Sequence, residues 1–71
     1  MDAEELEKFN IHKKVEIERE MSNNDIFSAA YTNNGYQWTM IYRGSLKNCK
    51  IIANAYIQIG YKDCTKKGVY N

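Results

Sequence analysis

Proline is absent from this chain of 71 residues, histidine and tryptophan occur once each, cysteine twice and glycine four times. No proline means no polyproline spacer, and no repeat or linker-like stretch breaks the sequence. One histidine with two scattered cysteines, Cys49 and Cys64, supplies too few ligands for a four-ligand zinc site. No metal and no cofactor is expected. No apolar run approaches the roughly 20 residues that cross a bilayer. The opening Met-Asp-Ala-Glu-Glu is acidic where a signal peptide would be basic. These absences predict a cytoplasmic protein with no membrane partner, its thiols kept free by a reducing compartment.

What is present suffices for one core. Hydrophobic residues make up 44% and aromatics 13%, which is too apolar for a disordered chain. A chain this short buries only about 60% of its unfolded surface, so its stability margin is thin. Residues 1–60 read as a single α+β domain and 61–71 as a polar, weakly basic tail. Asn, Lys and Ile (eight each) with six Tyr account for 30 of 71 residues. All four use A/T-rich codons, which points to an A/T-rich genome such as that of a phage, a mobile element or a low-G+C bacterium. Charge is uneven: residues 1–21 carry seven acids against four bases, and residues 22–71 carry two against six.

Residues 2–9 hold strong helix formers behind an Asp2 cap, with Leu6 and Phe9 on one side. From 11 to 21 the even positions, His12, Lys14, Glu16, Glu18 and Glu20, are all polar, whereas the odd ones include Ile11, Val15, Ile17 and Met21. That period of two favours a half-buried strand, with a continuous helix as the alternative. Asn34-Gly35 signals a type I′ hairpin. A two-residue turn there places Tyr31 opposite Trp38, Ala29 opposite Met40 and Phe27 opposite Tyr42, all on one aromatic core face. Ile26 with Arg43, Ser28 with Ile41 and Ala30 with Thr39 would then form the outer face. Ser45 caps a helix to about Ile59, and Gly60 ends it. Leu46, Cys49, Ile52, Ala53, Tyr56 and Ile57 form its core stripe, and Lys47, Asn54 and Gln58 its solvent strip. The expected fold is α-β-β-β-α, a three-stranded antiparallel sheet packed against a C-terminal helix. Val69-Tyr70 is a candidate for a further short edge strand.

Catalytic constellations are missing. His12 has no partner residue, and the Glu16, Glu18 and Glu20 row lies on an open strand, where such a face is ordinarily solvated. The chain reads as not an enzyme. Binding surfaces are better supported. Ile51, Ala55 and Ile59 lie at i, i+4 and i+8 and make the last helix apolar around most of its circumference, which calls for cover by the first helix or by a second protein. Ile41 adds to a neutral patch on the outer sheet face with Ile26, Ser28, Ala30 and Thr39. Arg43, Lys47 and Lys50 gather around the start of that helix, where the helix N-terminus favours an anion such as phosphate.

Residues from about Phe27 to Ile59 resemble a double-stranded-RNA-binding domain in element order, in the Asn-Gly turn and in the Gly/Ser approach to a lysine-bearing helix. Gly44-Ser45-Leu46-Lys47-Asn48-Cys49-Lys50 stands where that family carries a Lys-Lys-x-Ala-Lys run. The resemblance implies phosphate-contacting roles for Lys47 and Lys50 and a small buried position for Cys49. Leu46 departs from the pattern, and Ser22-Asn23-Asn24-Asp25 is short for the family's minor-groove loop. The expected function is a non-catalytic protein-binding module, a phage or mobile-element accessory that inhibits or modulates a host enzyme or defence complex. Its partner would be a host protein or a second copy of itself. Nucleic-acid binding through Arg43, Lys47 and Lys50 is the alternative.

Overall fold

A computed structural model describes residues 11–69. Strands β1 (Lys14–Arg19), β2 (Phe27–Thr32) and β3 (Thr39–Gly44) are followed by helix α1 (Leu46–Gln58) and a short β4 (Lys62–Asp63). They form one sheet in the order β3-β2-β1-β4. β1 pairs antiparallel with β2, and β2 with β3, while β4 runs parallel to β1. The α+β class and the sheet packed on the last helix are as expected. The sheet itself is four-stranded and mixed, not three-stranded and antiparallel. The helix expected over 2–9 lies outside the described residues, as does Tyr70.

β1 forms where the alternation predicts. Val15 and Ile17 are buried, and in register they oppose Tyr31 and Ala29 of β2. With Phe27, Ala29, Cys49 and Ala53, Val15 and Ile17 make the core, edged by Ile41, Leu46, Tyr56, Tyr61 and Val69. The small Ala29, Cys49 and Ala53 let the helix approach the sheet closely. The larger Val15, Ile17 and Phe27 supply about 1.5–3 kcal/mol each through burial. Arg19 closes one end, its guanidinium 5.3 Å from the Phe27 ring centre.

The hairpin exists, but its register differs from expectation. A type I′ turn needs positive φ at both central residues; only Gly35, at +84°, has it. The Asn34 side chain organises a longer loop over 33–38 instead. Its Oδ1 accepts hydrogen bonds from the Tyr36 N–H (2.9 Å), the Gln37 N–H (2.9 Å) and the Thr32 hydroxyl (3.1 Å). Thr32 Oγ1 in turn accepts from the Gly35 N–H. A bulge between Ala29 and Ala30 then shifts the ladder, so that Ala29 opposes Tyr42 and Ala30 opposes Met40. The extra residue, Ile41, packs against the core. Trp38 and Met40, expected in the aromatic core face, are exposed. Phe27 opposes Gly44 and Ser28 opposes Arg43, not Tyr42 and Ile41.

Helix α1 begins as predicted, with Ser45 Oγ accepting from the Asn48 N–H at 3.2 Å. Gly44 leaves room for the Tyr42 ring, whose hydroxyl accepts from Asn48 Nδ2 at 3.1 Å. The C-terminus is a Schellman turn. Gly60, at φ +110°, donates to the Ile57 carbonyl, and the Tyr61 N–H donates to the Tyr56 carbonyl. The apolar contact that accompanies this motif is supplied by the Tyr56 and Tyr61 rings, 5.1 Å apart and edge to face. That turn redirects the residues after Gly60, expected as a polar tail, onto the free edge of β1. The Lys62 N–H donates to the Lys13 carbonyl, the Cys64 N–H donates to the Val15 carbonyl, and the Ile17 N–H donates to Thr65 Oγ1. The short edge strand is therefore 62–63, chosen by backbone pairing where no side-chain pattern marks it.

Candidate functional site

The helix strip is open. Ile51 and Ile59 are 61% and 70% exposed, and Ala55 between them is exposed too. The inward side of α1 packs through Cys49 and Ala53, so the strip is surplus to the fold. Ile41 does not join it, because the bulge turns that residue to the core margin.

The cations grouped by sequence have separate surroundings. Arg43 is held by Glu20: its Nε donates to Oε1 at 3.1 Å, and one terminal nitrogen donates to both carboxylate oxygens at 2.8 and 2.7 Å. Lys47 is exposed on the first turn of α1. Lys50 is exposed beside a shallow depression that it shares with Ala53, Asn54, Ile57 and Asp63. Of the three cations grouped at the helix start by sequence, the arginine is thus occupied by a carboxylate.

The acidic row is divided. Glu20 belongs to Arg43, while Glu16 and Glu18 line an open groove of about 470 Å³ with Arg19, Met21, Lys66 and Val69. Burial pushes the Glu16 carboxyl above its ordinary value, and the Glu18 charge and a hydrogen bond to Glu18 add to this; Lys66 opposes. Burial likewise raises the Cys49 thiol, against a backbone hydrogen bond from Gly44. Both cysteines are free, Cys49 in the core and Cys64 half-buried. Among the described residues, no group of three His, Cys, Asp or Glu side chains could hold a metal ion. No helix among them is long and apolar enough to cross a membrane.

One feature escaped the sequence. The 33–38 loop displays Tyr36, 85% exposed, and Trp38, 39% exposed. Behind it Tyr31, Tyr56 and Tyr61 pack ring against ring at 5.1–5.9 Å. The available signal was Thr32-Asn33-Asn34, whose short polar side chains can organise a turn by bonding the backbone. No family model, no curated protein and no solved structure matches the chain.

Proposed function

We propose that the protein is a non-catalytic protein-binding module that docks through the outward strip of α1. The observation carrying this reading is a helix already packed through Cys49 and Ala53 that still exposes Ile51 and Ile59. Apolar anchors at i, i+4 and i+8 suit an apolar groove on a partner protein. Small size and A/T-rich composition support an accessory role on a phage or mobile element, where the module would cover a surface of a host enzyme or defence complex. Substituting both residues (Ile51→Asp with Ile59→Asp) leaves the fold intact, since neither side chain is in the core. The double variant should retain its circular dichroism and lose partners captured by the parent chain from host lysate, together with any dimer seen by sedimentation. Identical captures and identical sedimentation would refute the reading.

A further inference from the structure

The end of the sheet remote from Ser45 carries a second surface, independent of the helix strip. There the start of β1, the start of β4 and the 33–38 loop come together. Lys14 and Lys62 oppose each other in the β1–β4 ladder and so share a face. Like charges side by side are unfavourable by themselves, and neither lysine has a carboxylate at ion-pair distance among the described residues. Lys13 holds its ammonium 5.7 Å from the centre of the Tyr61 ring. The His12 imidazole lies against the loop, where a Cβ at Gly35 would come within 3.6 Å of its Nδ1.

The loop contributes what these cations lack. Tyr36 and Trp38 are exposed to solvent, and no acidic residue occurs between Asn33 and Trp38. The three bonds to Asn34 Oδ1 fix the loop in advance, so little ordering is left for binding. Asn33, Asn34 and Gln37 line a hollow of about 140 Å³ with Tyr31 and Thr39. Asn34 Oδ1 is used by the loop and Asn33 Oδ1 accepts from the Tyr61 hydroxyl, so it is the two asparagine amide nitrogens and the Gln37 amide that suit the hydrogen-bonding edge of a planar heterocycle. Cations that track an anionic backbone, exposed rings for stacking and amides for base edges are the combination that binds unpaired nucleotides. The geometry points to a surface for single-stranded nucleic acid, with Tyr36 and Trp38 stacking bases and Lys14 and Lys62 contacting phosphates. A duplex keeps its base faces covered and gains nothing from those rings.

Trp38 is the only tryptophan, so its fluorescence reports on stacking directly. Oligo-dT and oligo-U, each end-labelled for anisotropy, should bind the full chain and quench Trp38, with affinity falling linearly in log salt. Tyr36→Ala should weaken binding about tenfold, without risk to the fold because the ring is outside the core. Lys14→Ala and Lys62→Ala should each flatten the salt slope by about 0.7. Ile51→Asp should leave all of this unchanged, which separates the inference from the protein-docking reading. The inference is overturned if neither strand binds at low salt, or if Tyr36→Ala binds like the parent. It is equally overturned if a duplex of equal length binds as tightly, if heparin reproduces the quench, or if Tyr36→Ala loses a protein partner while oligonucleotide binding is unmoved.

Discussion

The two ends of the sheet use cationic side chains in opposite ways. At the end near Ser45 the cations carried by the strands are arginines, and the fold consumes them: Arg43 grips Glu20 and Arg19 covers Phe27. At the loop end they are lysines, and Lys14 and Lys62 are brought together by backbone pairing with no carboxylate at ion-pair distance among the described residues. A planar guanidinium that bonds two oxygens or lies on a ring is a structural fitting; an ammonium left beside another ammonium is a demand for an anion. Counting basic residues along the sequence treats the two alike. Their partners distinguish them.

Three substitutions sharpen that contrast. The largest effect should come at the loop end from Thr32→Val. Thr32 is 1% exposed, and its hydroxyl both donates to Asn34 and accepts from Gly35. Losing it leaves the Gly35 N–H without its acceptor and should cost about 1–3 kcal/mol in denaturant unfolding, with a shift in Trp38 emission. A smaller effect is expected midway along β1 from Glu16→Gln. Burial and Glu18 raise the carboxyl in the folded state, so Glu16 favours folding while protonated, and that advantage is lost as pH rises through its raised value. The glutamine variant should match the parent in acid and exceed it in urea midpoint at neutral pH; a gain confined to acid would contradict the assignment. The smallest effect belongs to the Ser45 end. Arg43→Gln removes a half-exposed ion pair and should cost a few tenths to about 1 kcal/mol, vanishing in high salt. A loss as large as that of Thr32→Val would show that the two ends are not built as described.

Local signals were legible, and long-range ones were not. Ser45, the apolar spacing from Leu46 onward and Gly60 define α1 within one stretch of chain, and the alternation around Val15 and Ile17 defines β1. The Asn34-Gly35 turn marks a hairpin but not its register, because Asn34 organises the loop with its side chain and the bulge at Ile41 answers to packing against the helix. Trp38 and Met40 lie outside the core for that reason. β4 has no pattern to read; Lys62 and Asp63 are both polar and exposed. They become a strand because the Schellman turn sends the chain past the open edge of β1. Of the surfaces, the Ile51, Ala55 and Ile59 strip follows from a helical wheel, whereas the pairing of Arg43 with Glu20 spans 23 residues. The loop-end surface likewise depends on a ladder between residues far apart in the chain.

The parallel pairing of β4 with β1 also sets a clock on biosynthesis. Ile17 bonds to Thr65 across a separation of 48 residues, so at roughly 5–20 residues per second the ribosome needs several seconds to deliver that partner. Until that partner exists, this margin of β1 has no strand to pair with, and the sheet cannot close on that side.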